Sequence, residues 1–262
     1  MIETRKEIKI AVHNINGLKG NRHKIESIVE RIEKNEYDII GIVETNITNR
    51  ERQFIVKQRS SLNSFWSNAE EGKNKGSGVG IIVSDKWAKH IGQIRKHNGY
   101  LIEVHFFFKQ LEIVVFIVYI APNDQMKRKE AQRIIMKEIA QKKQNMHFII
   151  MGDFNHIMQP NLDRSNSNNN NYKKLPLHGW MLKQDFIDTF RAKYPNRREF
   201  TWSNGKDNTR IDQIWVSSIL SYGLDDAIIE DIDLDTDSNH KLVVARLILD
   251  HMQIKDSLSQ VK

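Results

Sequence analysis

The chain has 262 residues, long enough to bury one substantial core as a single domain spanning 1–262, with its packed part over about 8–249. Its 40 Lys and Arg against 33 Asp and Glu give a formal net charge of +7, which suits a polyanionic partner. Cysteine is absent, excluding disulfides and thiolate metal sites; no secretory signal opens the chain and no apolar run is long enough to span a membrane, so an intracellular protein with no membrane partner is expected.

Ile8 to His13 reads as a strand, and Ile25, Ile28, Val29 and Ile32 then recur at helical spacing before 38–44 resumes as a buried strand. Extended segments at 78–83, 100–107 and 111–120 are expected to be neighbours in one sheet. A helix is predicted over 126–144, with Ile134, Ile135 and Ile139 inward and Lys127, Arg128, Lys129, Lys142 and Lys143 in water. His147 to Met151 is a short buried strand. Two stretches read as loops, 70–77 and the Asn/Ser tract 165–171, which cannot bury apolar surface. Beyond them 175–190 reads as one helix, followed by strands near 199–202, 210–216, 227–231 and 241–249. No repeat at a fixed period is visible.

Polar groups stand at the ends of apolar strands in five places. They are Asn14 and Asn16 in His-Asn-Ile-Asn-Gly, Glu44 in Val-Glu-Thr, Asp153 and Asn155 in Met-Gly-Asp-Phe-Asn, Asp212 in Arg-Ile-Asp-Gln-Ile, and His240 in Asp-Ser-Asn-His. Taken singly, an Asn or Asp past a strand is more often a turn former than a catalyst, and a lone histidine is usually structural. Together, carboxylates, amides and an imidazole are the parts needed to hold a hard cation and attack a phosphodiester.

The ordered set Asn-Ile-Asn-Gly-Leu (14–18), Val-Glu-Thr (43–45), Tyr-Ile-Ala-Pro-Asn (119–123), Gly-Asp-Phe-Asn (152–155), Phe-Thr-Trp (200–202), Arg-Ile-Asp (210–212) and Ser-Asn-His (238–240) resembles the endonuclease/exonuclease/phosphatase superfamily. Within it, these strings and Leu-Asp-Arg-Ser (162–165) are most similar to the apurinic-like endonuclease domains of LINE-type, non-LTR retrotransposons. The resemblance implies a deoxyribonuclease-I-like four-layered α/β sandwich, two packed β-sheets flanked by helices. It also implies a Mg²⁺-dependent endonuclease, with Mn²⁺ able to substitute, that nicks double-stranded DNA as a nuclear monomer.

What the resemblance implies for single residues can be set beside physical need. Glu44 is the principal metal ligand with Asn16 near it, as suits a hard ion that keeps several waters. Asp153 orients or deprotonates the attacking water, and Asn155 and Asn14 hold water and phosphate. His240 contacts the phosphate, with Asp212 fixing its tautomer; whether Asp153 or His240 is the general base stays open. Tyr119 donates to the scissile phosphate or is a core aromatic, because the family tyrosine lies two residues before the proline, where this chain has Ile120. The family Ser-Asp-His is Ser238-Asn239-His240 here, so the outer metal contact at Asn239 loses a negative charge; such changes typically cost ~10–100-fold in affinity or activity.

Between Thr201 and Asp212, Asn204-Gly205 and Lys206-Asp207-Asn208 form a hairpin signature with a polar tip. In the retrotransposon enzymes this hairpin lies against the minor groove. Thr201, Asn204, Lys206, Arg210 and Ser238 are therefore expected at the DNA, with Lys73, Lys75, Arg191, Lys193, Arg197 and Arg198 as candidate phosphate contacts. Abasic-site repair is the nearest competing function, since the same catalytic set serves both. A catalytically weak nucleic-acid-binding module, supported only by Asn239, is the competitor from another class.

Overall fold

The computed structural model describes residues 6–18, 22–34, 36–56, 63–68, 76–166, 175–232 and 238–252. Most of the expected loop 70–77, most of the tract 165–171, and Lys73 and Lys75 lie outside the described residues. Fourteen strands run in chain order among the described residues: Glu7–Asn14 (β1), Ile39–Val43 (β2), Asn63–Ser67 (β3), Val79–Val83 (β4), Ile91–His97 (β5), Leu101–Phe107 (β6), Glu112–Tyr119 (β7), Met146–Asp153 (β8), Ile187–Asp188 (β9), Trp202–Ser203 (β10), Asn208–Thr209 (β11), Asp212–Val216 (β12), Leu224–Glu230 (β13) and Leu242–Ile248 (β14). They form two six-stranded sheets, ordered β13-β14-β1-β2-β4-β3 and β5-β6-β7-β8-β12-β9, and a separate β10-β11 hairpin.

The sheets pack face to face. Ile8, Ile10, Val12, Val43 and Val79 of one meet Ile102, Val104, Ile113, Ile117 and Met151 of the other in a continuous core. Helix Arg22–Glu33 covers the outside of the first sheet through Ile25, Ile28, Val29 and Ile32. Helices Gln125–Ala140 and Pro176–Lys183 cover the second through Ala131, Ile135, Ile139, Leu177 and Met181. Central strands are thus covered on both faces, which is why β2, β7 and β8 read as unbroken apolar runs. This is the four-layered sandwich expected from the sequence.

Three local expectations are corrected. The segments at 78–83, 100–107 and 111–120 do not share a sheet: β4 pairs with β2 and β3 in the first, while β6 and β7 pair in the second. Apolar content identifies a strand but not which sheet supplies its hydrogen-bond partner. The helix expected over 126–144 spans Gln125–Ala140, capped by Asp124, whose carboxylate accepts the Lys127 N–H; the polar residues 141–144 add nothing apolar to bury. The helix expected over 175–190 is two, Pro176–Lys183 and Thr189–Lys193, broken at Asp185 with φ 59°. Between them β9 pairs with the end of β12, and Asp188 starts the second helix by accepting the Arg191 N–H.

The outer layer of the second sheet carries a pH liability. His178 is 1% exposed, its ring 5.1 Å from Phe154 and 5.5 Å from Trp215. Burial, then repulsion from His156, pushes its imidazole down to about 3. Unfolded, it titrates near 6.5. Between those values the unfolded chain holds a proton that the native state refuses, so this contribution is complete above about pH 6.5 and lost as pH falls toward about 3. The slope is about 1.4 kcal/mol per pH unit. His178→Phe should remove it, which urea unfolding at pH 7 and pH 5 will show as a smaller stability loss than in wild type; an unchanged loss would contradict it.

Candidate active site

Strand direction gathers the polar ends at one rim. β1 and β2 run parallel and end at Asn14 and Val43, followed by Glu44. β7 and β8 run parallel in the other sheet and end at Tyr119 and Asp153. β12 is antiparallel to β8 with Asp212 opposite Asp153, and β14 is antiparallel to β1, so Asp212 and His240 enter where the others leave. Gly152 permits the close approach of β8 to β7, since a Cβ there would lie 1.8 Å from the Val118 carbonyl oxygen.

The same turn closes β1 and β8. Asn14 Oδ1 accepts the Asn16 N–H at 3.0 Å, and Asp153 Oδ1 accepts the Asn155 N–H at 2.7 Å. In both, the intervening residue, Ile15 or Phe154, is fully buried beneath its own sheet, and the third is an asparagine at φ 49°. Asparagine tolerates the left-handed region better than most residues with a Cβ. Glu44 occupies it too, at φ 56°, although glutamate has no such tolerance. Lys24, buried, donates to the Ile15 carbonyl at 2.9 Å and braces the first turn.

Asn14 Nδ2 donates to Glu44 Oε2 at 3.0 Å and to Asp153 Oδ2 at 2.9 Å, so one amide holds a carboxylate from each sheet. Across the cleft His240 Nδ1 donates to Asp212 Oδ2 at 2.8 Å. Burial alone would lower this imidazole, but the charge and hydrogen bond of Asp212 outweigh it and raise it to about 9. Burial and then the charge of Asp212 raise Asp153 well above the usual carboxylate range. Tyr119 is buried with its hydroxyl beside Glu44, Asp153 and Asn155; burial, then the charges of Glu44 and Asp153, keep it protonated. It is therefore a buried aromatic whose hydroxyl faces the polar groups of the site.

Beside this network lies a cleft of about 400 Å³ with Asn16, Glu44, Asp153, Asn155, Asn239 and His240 on its polar side. The donor set is oxygen-rich, and Asp212 Oδ1 is buried without a hydrogen-bond partner among the described residues. Crowded carboxylates of this kind fit a hard divalent cation, whose charge would offset the repulsion that raises Asp153. Asp153, Asp212 and His240 offer ligand atoms within 4.8 Å of one another. Because Asp212 and His240 are already paired, Glu44 with Asn16 is the freer oxygen donor set. A second such cluster, Glu103, His105 and Glu138, has the Arg95 guanidinium between its carboxylates and reads as an ion-pair network.

Three residues expected at the DNA are engaged inside the protein. Arg210 is 1% exposed and donates to Asp163 Oδ1 at 2.8 Å and Asp188 Oδ2 at 2.7 Å. Its fork neutralises two buried carboxylates and is not available to phosphate. Thr201 is fully buried, its hydroxyl oxygen accepting the Ile211 and Asp212 N–H groups, so it positions the start of β12. Ser238 donates to the Asn14 carbonyl and accepts the His240 N–H, tying the two halves of the site together. Arg191, a candidate phosphate contact, is also spent on Asp163 at 2.6 Å. The β10-β11 hairpin forms as expected, with Asn204 Oδ1 accepting from Lys206 and Asp207 N–H at an exposed tip.

Arg164, His156 and Trp202 also line the cleft, and the sequence reading assigned them no role. Arg164 follows Asp163 in Leu-Asp-Arg-Ser; spacing alone does not show that the chain turns Asp163 inward and leaves Arg164 at the cleft. Trp202 stands 6.5 Å from the His240 ring and closes the wall at the base of the hairpin.

The sequence model described as the endonuclease/exonuclease/phosphatase family matches residues 11–228. Among solved structures, the chain is similar to the 3′ phosphatase NExo from Neisseria bound to a product DNA hairpin, at TM-score 0.71 and 17% identity, over 92% of this chain and 99% of that one. It is similar to the catalytic domain of Xenopus laevis APE2, at 0.73 and 20%, over 91% of each chain. It is also similar to the AP endonuclease LMAP of Leishmania major, at 0.74 and 15%, over 93% of this chain and 88% of that one. Identities this low speak to the fold alone.

Proposed function

The chain belongs to the endonuclease/exonuclease/phosphatase family, and from that premise we propose that it is a Mg²⁺-dependent endonuclease that breaks the backbone of double-stranded DNA. The observation that carries this reading is the single Asn14 amide holding Glu44 and Asp153 opposite the His240–Asp212 pair. A cation held by Glu44 and Asn16, with Asn239 at its outer side, would supply Lewis-acid neutralisation of phosphate charge. Mn²⁺ would serve in its place.

The chain's own groups divide the remaining work. Asp153, more basic than a surface carboxylate, takes the proton of the water attacking phosphorus, while Asn14 and Asn155 fix its position. His240, held cationic by Asp212, turns its remaining N–H to the phosphate and offsets the charge that grows there. Tyr119, a neutral phenol, donates to the same group. The bond from phosphorus to the leaving sugar oxygen breaks, and that oxygen takes the electron pair.

Within this class, target-site nicking in the manner of LINE-type retrotransposon endonucleases is the reading favoured by the motif strings and by the hairpin standing beside the cleft. Such an enzyme would act as a nuclear monomer. Abasic-site cleavage is the alternative, favoured by the Ile157, Trp202 and Ile211 wall, which could receive a sugar without a base.

Nicking of supercoiled plasmid across a Mg²⁺ titration tests the site. Wild type should nick only with metal, and Glu44→Ala should lose nearly all activity. Asn239→Asp, which restores a charge beside the metal waters, should nick faster at limiting Mg²⁺, with the gain shrinking at saturation. Nicking that persists in chelator, or full activity in Glu44→Ala, would reject the assignment. Intact, abasic and RNA duplexes compared in the same assay separate the two substrates.

A further inference from the structure

The cleft contains two imidazoles of opposite polarity. His240 gives its Nδ1–H to a carboxylate and is cationic, so it offers the cleft a donor. His156 lies 3.0 Å through Nδ1 from the Phe154 carbonyl oxygen. A carbonyl can only accept, so Nδ1 carries the hydrogen and, in the neutral ring, Nε2 presents a lone pair. Burial, opposed by that backbone hydrogen bond and reinforced by Arg128, lowers the imidazole and favours the neutral form. Among the described residues Nε2 has no hydrogen-bond partner, and it is not one of their buried unpaired atoms, so it is open to the cleft. The residue itself lines the catalytic cleft, and its carbonyl is fastened by Gln213 at 3.0 Å, which fixes the ring's base.

We propose that His156 is a specificity residue whose Nε2 accepts a hydrogen bond from a donor on the nucleoside next to the scissile phosphate. Phosphate oxygens only accept, and with its one N–H spent on the Phe154 carbonyl the neutral ring has no donor left for a phosphate. The donors that a nucleic acid carries near its backbone are base N–H groups and sugar hydroxyls, and one of these is the partner. Metal coordination is the weaker use, because His156 belongs to neither group of metal-capable side chains among the described residues. A substrate anchored by its phosphate at His240 is thus also read at His156, so chemistry and selection share one cleft.

This inference rests on the phosphodiester-cleaving reading, and the test separates the two. A duplex with one mapped cut is rebuilt with single donors deleted on each side of the cut: purine for adenine, hypoxanthine for guanine, and, in a separate arm, a ribonucleotide against the deoxyribonucleotide. Wild type should lose about 3–10-fold in kcat/KM when one donor is removed. His156→Phe should show the same loss on the parent duplex and become indifferent to the deletion, while His156→Gln, which keeps an acceptor, should retain the preference. The base arms and the sugar arm identify the source of the donor. Equal rates for wild type on every duplex, or a preference retained by His156→Phe, overturns the role of His156 and leaves the catalytic reading standing. No cleavage of any duplex by wild type overturns both.

Discussion

Asp212→Asn is expected to slow backbone cleavage by about 10²–10³-fold, the cost of losing charge stabilisation at a developing anion. The carboxylate does two things to His240: it fixes the ring through Nδ1, and its charge lifts the imidazole to about 9 against the opposing effect of burial. An amide keeps a hydrogen bond and loses the charge, so burial would then act unopposed by Asp212 and the ring would turn neutral at working pH. Wild-type activity should fall as pH rises through about 9, where His240 gives up its proton. In Asp212→Asn that alkaline limb should move to lower pH, because the proton held by Asp212 is lost earlier. Rate against pH for both proteins, with DNA affinity measured in chelator, is the check. A variant with the wild-type limb would show that Asp212 does not set the charge of His240.

Arg210→Met is expected to destabilise the fold by about 3–5 kcal/mol, because truncating one partner of a buried ion-pair network leaves the others uncompensated. Arg210 lies between Asp163 and Asp188, both buried, and its own charge is reinforced by them. Asp163 would keep Arg191 and the Met158 and Gln159 N–H groups, whereas the Asp188 carboxylate would keep its helix-capping role without a cation. A phosphate-contacting arginine behaves differently: its loss leaves stability unchanged and lowers the salt dependence of DNA binding by about one counterion. Denaturant unfolding and a salt titration of DNA affinity distinguish the two. A stable variant with a shallower salt dependence would return Arg210 to the DNA.

Much of the site was legible because it stands at strand ends. Asn14, Glu44, Asp153, Asp212 and His240 each adjoin an apolar run, and the parallel and antiparallel pairings around β1 and β8 bring those ends to one rim. The β10-β11 hairpin followed from local turn chemistry at Asn204-Gly205. The two long helices followed from periodicity; the expected helix over 175–190 was broken at Asp185, since a single left-handed residue leaves the apolar pattern on either side intact, and the short helices at Asn49–Val56, Asp85–Ala88, Pro160–Asp163 and Ser218–Ser221 carry too few turns to show a period.

By itself the sequence determined most of the strands, though not β3, β5 or β9, the two-sided burial that makes the central runs continuous, and the polar groups at their ends, because each is written in neighbouring residues. Only the tertiary structure decided which sheet β4 joins, that Thr201 and Ser238 brace the site, that Asp163 takes Arg210 inward while Arg164 stays at the cleft, and that His156 lines that cleft. The physical reason is that a charge or a lone pair acquires its meaning from its partner. Arg210 finds its partners 47 and 22 residues away, a separation that no local pattern records.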